Sequence, residues 1–195
     1  SCRQVFPIIL GHVLLGAPAA WAFAKFHFRG KKILYTLYIV LMLMPFQVTM
    51  VSSYLVLNKL GLIDTVWAVI LPGAASTLPV FIMTRFFMDV PEAVMEAAAV
   101  DGASSFQIFL RLGLPLGAPG ILSAVVLGFL EYWNAIEAPQ AFLKNQALWP
   151  LSLYMSNITA DNAGVSLIAS LITLMPPLLI FLSGQKYLEQ GIISS

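Results

Sequence analysis

Charge is what this sequence has least of. Charged residues make up 10% of its 195 positions, against about 25% in ordinary soluble domains. A core of this size in water would lack polar side chains to cover it, so a soluble globular domain is excluded as the working reading. Acids and bases nearly cancel to a net charge of +1, which leaves no basic footprint for nucleic acid. Cysteine occurs once, as Cys2, excluding an internal disulfide and a cysteine-rich metal site. Two histidines, His12 and His27, give little from which to build a nucleophile–base pair or a metal cluster. There is no Gly-rich loop ending in lysine, so nucleotide hydrolysis is not expected of this chain. Neither a pore loop nor a ring of charges marks an ion channel. Strict period-two alternation is missing, and an open sheet edge cannot be satisfied in lipid. Internal repeats and low-complexity tracts are also lacking. Ser1 is preceded by no methionine and no basic stretch, so no intact signal peptide is expected and the start reads as internal to a longer protein.

What remains is long apolar runs, with 59% hydrophobic residues and a mean hydropathy of +0.89. A membrane helix needs about 20 apolar residues to cross a hydrocarbon layer about 30 Å thick. Five segments qualify, at 5–26, 33–57, 66–87, 117–137 and 164–184. The expected fold class is therefore all-α, a polytopic membrane protein forming one transmembrane domain over 1–195. Lys25, Arg29, Lys31, Lys32, Arg85, Arg111 and Lys186 fall on one side, and Arg3, Lys59 and Lys144 on the other. The side with more basic residues is cytoplasmic by the positive-inside rule. NKLGLIDT reads as a tight outer turn around Gly61. The 138–164 connection is long, and its WPLSLYM is apolar enough to lie in the interface or cap a cavity. Asn157-Ile158-Thr159 matches a glycosylation acceptor, a frequent pattern read here as chance.

The cytoplasmic middle, DVPEAVMEAAAVDGASSFQIFLRLGLP, is polar, alanine-rich and broken by glycine. Asp89 with Glu92 predicts a capping box, and Pro91 suits a first helical turn. Gly102 predicts a left-handed stop. Ser104 with Gln107 predicts a second start, and Pro115 closes the segment before the fourth span. Ala93, Ala97 and Ala98 form a small-residue face, while Glu92 and Glu96 stand four apart as like charges, an arrangement a partner surface can relieve. These features alone are equally satisfied by an ordinary cytoplasmic loop with a helical turn.

The spacing Glu96-Ala97-Ala98, three residues, Gly102, nine residues, Leu112, one residue, Leu114-Pro115 resembles the EAA loop of importer permeases of the ATP-binding-cassette class, with Leu112 where isoleucine is usual. AAWAFAKFHFRGKK and MPFQVTM resemble, in order, the end of that family's second helix and its third, and FLEYWN resembles the fifth-helix signature of the carbohydrate, maltose-permease-like subgroup of these binding-protein-dependent transport system inner membrane components. The resemblance covers essentially the whole chain. It implies an importer-permease fold of five helices with a cytoplasmic coupling helix, lacking an N-terminal helix and a few C-terminal residues. It further implies docking on a cytoplasmic ATPase dimer through Glu96, Ala97, Ala98, Asp101, Gly102, Leu112 and Pro115. The implied partners are a second homologous permease, a solute-binding protein outside the cell and membrane lipid. No catalytic, metal or cofactor site is implied. The implied place is multi-pass in a bacterial or archaeal cell membrane, and the implied substrate a sugar or oligosaccharide, with polyols and glycerol phosphate esters not excluded.

Glu131, Tyr132, Trp133 and Asn134 end the fourth span. A carboxylate at the bilayer centre costs about 2.5–3.5 kcal/mol and usually faces a cavity or partner, and aromatic faces suit sugar rings. An interfacial belt or subunit packing accounts for the same residues. Gln47, near Pro45, either lines a path or bonds to a neighbouring helix. His12 reads as a packed residue. Gly16, Ala20 and Ala24 follow the small-xxx-small pattern of close packing. Pro18 is expected to kink the first helix and Pro176-Pro177 the last. The alternative function is a membrane-embedded enzyme of intramembrane hydrolase type, for which the chain offers few groups.

Overall fold

The computed structural model describes residues 1–157 and 163–193. The elements in chain order are α1 (Cys2–Lys25), α2 (Lys31–Leu43), α3 (Phe46–Lys59), α4 (Trp67–Met88), α5 (Glu92–Val100), α6 (Ser105–Leu116), α7 (Ala118–Trp133), α8 (Glu137–Phe142), α9 (Leu151–Ser156) and α10 (Ala163–Ile193). No strand occurs among the described residues. Three helical stretches, Cys2–Lys25, Trp67–Met88 and Leu167–Leu188, are long and apolar enough to cross a membrane. The pairs α2 with α3 and α6 with α7 qualify as broken spans, making up to five. The expected second span at 33–57 is thus not one helix. It breaks at Met44-Pro45, where Pro45 takes an extended conformation (ψ 147°).

Prolines shape the helices by removing one donor each. A π-helical turn, His12–Gly16, lies just ahead of Pro18 in α1, and a second, Phe109–Gly113, lies just ahead of Pro115 in α6. Pro18 cannot bond to the carbonyl four residues back, and the helix widens by a residue where that bond is missing. Pro176-Pro177 behaves differently. The helix is not interrupted there, and α10 runs through the pair. Pro177 leaves the Thr173 carbonyl without its helical donor, and the Trp133 indole N–H donates to that oxygen at 3.0 Å. A neighbouring helix supplies the missing bond, as membrane helices with internal proline require.

The chain forms two compact units. The first comprises Ser1–Gly11, Met44–Ala75 and Val126–Ser183. Val5, Phe129 and Trp133 form one buried cluster, with the two rings stacked at 5.2 Å. Ile8, Val69, Ile70 and Leu143 form a second, and Leu57, Ala68 and Phe142 a third. A Cβ at Gly11 would come within 2.5 Å of the Ala74 Cβ, so α1 and α4 cross at backbone distance. The turn around Gly61 forms as expected. Gly61 has φ +68°, and its N–H and that of Leu62 bond back to Asn58 and Leu57. Asp64 adopts φ +62° and accepts the N–H groups of Lys144 (2.8 Å) and Asn145 (2.7 Å) on one carboxylate oxygen. The long connection expected from 138 onward is therefore structured by α8, a short 3₁₀ turn Gln146–Leu148 and α9. Asn157 ends α9, and the rest of its sequon lies outside the described residues.

The second unit comprises His12–Leu43, Ser76–Val125 and Gly184–Ser195. Ala17, Ala20, Trp21 and Phe23 of α1 pack with Val80, Met83 and Phe87 of α4 and with Ile108 and Phe109 of α6. Gly16 and Ala20 are buried and Ala24 half-buried against this core, which is the packing expected of small residues four apart. Trp21 meets Phe87 edge-on at 5.2 Å. Gly113 lies under the same Trp21 ring.

Candidate functional site

The second unit carries α5 on its surface, and α5 is built by its ends. Its N-cap is Pro91 (ψ 133°), with no side-chain cap. The expected Asp89–Glu92 box is not formed. Asp89 instead closes α4 in a helical conformation (φ −76°, ψ −11°), with its N–H on the carbonyl of Phe86 and the Val90 N–H on that of Phe87. A proline disfavours helix at the residue before it, so Val90 separates the two helices and α5 starts too late for Asp89 to reach. The C-terminal end matches expectation. Gly102 has φ +85°, its N–H bonds to Ala99 O, and Ala103 N–H bonds to Ala98 O, both at 3.0 Å. This pair of bonds is the Schellman stop, which needs a left-handed residue at the C′ position. The second start is also as expected. Gln107 N–H donates to Ser104 Oγ at 3.3 Å, and Ser104 N–H to Gln107 Oε1 at 2.8 Å. Pro115 does not close the segment. It lies inside α6, and the break comes at Gly117, where α6 and α7 meet at 68°.

No residue of α5 is buried. Met95 and Ala98 are half-buried against the core around Trp21, while Glu92, Ala93, Glu96 and Ala97 are exposed. The expected alanine face is therefore divided, with Ala98 turned inward and Ala93 and Ala97 outward. Beside the Gly102 turn lies an open cleft of about 420 Å³ lined by Ala98, Asp101, Gly102, Ala103, Gln107, Ile108, Arg111 and Leu112. It brings together four of the seven expected coupling positions. Glu96 and Ala97 stand on the outer face of α5, and Pro115 lies outside the cleft lining. Three residues that sequence reading passed over flank or line this surface. Val100 is 88% exposed, Phe106 is 68% exposed, and Arg111 contributes the only cation in the cleft lining. The signal for Val100 and Phe106 was present as large apolar side chains inside the run EAAAVDGASSF.

The candidate path residues belong to the first unit. Leu127 and Glu131 are exposed four apart on one face of α7 and Asn134 is exposed just past its end, whereas Val126, Phe129 and Trp133 are buried on another face. Trp133 is thus a packing residue that also serves the α10 carbonyl. Tyr132 is half-buried near Gly73 and beside the Ile8 cluster. The Asn134 side-chain amide donates to Leu130 O in the last turn of α7 at 2.8 Å. Gln47 is exposed, and its Nε2 donates to Glu137 Oε1 at 2.7 Å. Glu137 was not singled out by sequence. It stands in the first turn of α8, ninety residues from its partner. Among the described residues, no group of three or more His, Cys, Asp or Glu side chains is placed to hold a metal ion.

A family model for binding-protein-dependent transport system inner membrane components matches residues 12–194. A probable ABC transporter permease protein of Pyrococcus horikoshii is 34% identical over 199 residues, covering 99% of this chain and 72% of that protein. The osmoprotective compounds uptake permease protein GgtD of Synechocystis is 32% identical over 200 residues, covering 100% and 67%. The arabinooligosaccharides transport system permease protein AraQ of Halalkalibacterium halodurans is 26% identical over 188 residues, covering 95% and 67%. The chain spans about two thirds of the length of these relatives. A solved bacterial ABC transporter involved in the import of the acidic polysaccharide alginate superposes with a TM-score of 0.80 over 95% of this chain and 71% of that chain, at 21% identity, a likeness of fold.

Proposed function

We propose, from the premise that this chain belongs to the binding-protein-dependent transport system inner membrane components, that it is the permease half of an ATP-driven sugar importer. In this reading it transports and does not catalyse. ATP is hydrolysed by a separate cytoplasmic ATPase dimer, a second homologous permease completes the path, and a solute-binding protein delivers substrate from outside. The sugar or oligosaccharide assignment rests on relatives named for arabinooligosaccharides and for polygalacturonan and rhamnogalacturonan transport.

The observation that carries the ATPase assignment is α5 itself. It is a helix with a proline start and a glycine stop that buries no residue of its own. It leaves Val100, at 88% exposure, and the nearby Phe106 without cover in the described chain. Burying a large apolar side chain is worth about 1.5–3 kcal/mol, so a partner surface gains by covering both. The outward alanines, Ala93 and Ala97, let that surface approach the α5 backbone. Glu92 and Glu96, four apart on an exposed stripe, gain from a basic partner that offsets their repulsion. ATP binding then shifts the assembly only through its different affinity for the inward-open and outward-open states. In the first unit, the exposed stripe of Glu131 and Asn134, with the Gln47–Glu137 pair, supplies the polar groups proposed to meet the sugar.

The test is crosslinking in the assembled complex, on a Cys2→Ser background because Cys2 is exposed. Ala97→Cys and Val100→Cys are each expected to crosslink to the ATPase, with a yield that changes when ATP is bound. A complex that transports substrate yet gives no crosslink from either position refutes the docking assignment.

A further inference from the structure

Lys25 is the last residue of α1, and its half-buried side chain reaches the joint between α4 and α5. Its Nζ donates to Val90 O at 2.5 Å and to Met88 O at 3.4 Å, across sequence separations of 65 and 63 residues. The two carbonyls flank Asp89, the C-cap of α4. The last carbonyls of a helix have no intrahelical donor, and a lysine ammonium meets their partial negative charge. Val90 is itself buried, and Pro91 after it has no N–H to offer. The carboxylates of Glu92 and Asp89 and the ammonium of Lys31 are the charged groups acting on Lys25.

From this geometry we infer that Lys25 is a positioning residue for coupling, fastening the 88–91 joint to the end of α1 so that displacement of α5 is delivered to α1 and α4 together. The inference rests on the docking role proposed for α5 and adds to it the route by which that helix grips the membrane spans. Without the lysine, α5 is joined to α4 through Asp89, Val90 and Pro91, and rotation about that short link absorbs the motion. Lys25 is not a docking residue. It touches backbone oxygens of its own chain, and a side chain that presents the same cation at the same reach replaces it.

The experiment uses the full complex in proteoliposomes with its ATPase, partner permease and binding protein, carrying Cys2→Ser and Ala97→Cys so that docking is read independently by the crosslink. In Lys25→Met, the crosslink and ATP hydrolysis persist while substrate transported per ATP falls about tenfold, the scale of one lost charge-assisted hydrogen bond. Lys25→Arg restores most of the ratio. An unchanged ratio in an assembled Lys25→Met complex overturns the inference. Should Lys25→Met not assemble, Lys25→Cys is placed on the Cys2→Ser background without the Ala97 substitution, and the assembled complex is aminoethylated to rebuild the ammonium. Recovery of the ratio supports the inference, and no recovery overturns it. Loss of the Ala97→Cys crosslink with Lys25 intact would refute the docking role instead, which keeps the two failures apart.

Discussion

Replacing Gly102 by valine puts the proposed coupling role of α5 to its most direct test. The glycine stands at φ +85°, and a Cβ built there meets nothing within 4 Å. Space is therefore not the constraint within this chain, and the cost is conformational. An L residue in the left-handed region costs about 1–2 kcal/mol, and a β-branched one lies toward the top of the about 1–3 kcal/mol range for such strain. If the turn opens instead, the Gly102 and Ala103 N–H bonds to Ala99 and Ala98 are lost, each worth about 0.5–1.5 kcal/mol. Both routes give about 1–3 kcal/mol, which corresponds to a coupling loss of about five- to 150-fold. Insertion into the membrane is unaffected, because the spans do not include this turn. The assay is substrate uptake and ATP hydrolysis measured together in proteoliposomes, over Gly102→Ala, Gly102→Asn and Gly102→Val. Asparagine tolerates the left-handed region better than alanine despite its size, so the ratio of uptake to hydrolysis should rank glycine, asparagine, alanine, valine. A wild-type ratio in Gly102→Val refutes the capping argument. A ranking by side-chain volume, with alanine above asparagine, refutes the conformational cause and points to contact with the partner.

Three further outcomes follow from local geometry. Asp64→Ala loses the acceptor for Lys144 and Asn145 N–H while keeping φ +62°; thermal unfolding of the purified chain should show a loss of about 1–3 kcal/mol, smaller in Asp64→Asn, and an unaltered Asp64→Ala would refute the clamp. Gly117→Ala drives a methyl into the Phe87 ring, with an expected loss of about 1–3 kcal/mol that Phe87→Leu partly recovers; stability unchanged by Gly117→Ala alone would show that α6 and α4 yield at this crossing. Gln47→Leu and Glu137→Leu each remove half of a 2.7 Å hydrogen bond, and each should raise the KM for sugar uptake about tenfold; an unchanged KM in both removes the pair from the substrate path.

What could be read from sequence was what short-range chemistry decides. Gly102 and the Ser104–Gln107 box depend on residues within three or four positions, and both formed. Asp89 shows where local reading fails. The same side chain can cap the helix before it or the helix after it, and Pro91 decides the matter by holding Val90 out of the helix. Proline shows the same limit on a larger scale. Pro45 ends a helix and Pro176-Pro177 does not. Each removes a donor, and the outcome depends on what the freed carbonyl finds. For Thr173 O it is the Trp133 indole, forty residues away. That bond also resolves an ambiguity in FLEYWN, where aromatic residues beside a carboxylate suit a sugar path and a packed helix equally well. Burial assigns Trp133 to packing and leaves Glu131 and Asn134 on the open face. Lys25 with Val90, and Gln47 with Glu137, were beyond local reading because nothing at short spacing marks them.

The distribution of burial around α5 suits the role of rigid handle proposed for it. A helix of nine residues is too short to be stable alone, and this one gains little from side-chain packing, with only Met95 and Ala98 turned toward the core. Its definition comes from its ends: Pro91 sets the start, Gly102 sets the stop, and the Lys25 bonds hold the joint just before it. An outer face freed from structural duty can carry groups chosen for a partner, and Val100, Ala97 and Glu96 occupy it. The same economy makes the segment vulnerable. A single change at either end alters the direction in which the whole face points, whereas a single change on the face alters one contact. Substitutions at Lys25 and Gly102 should therefore uncouple transport from hydrolysis at intact docking, and substitutions at Ala97 or Val100 should weaken docking while leaving the stroke of each docked complex intact.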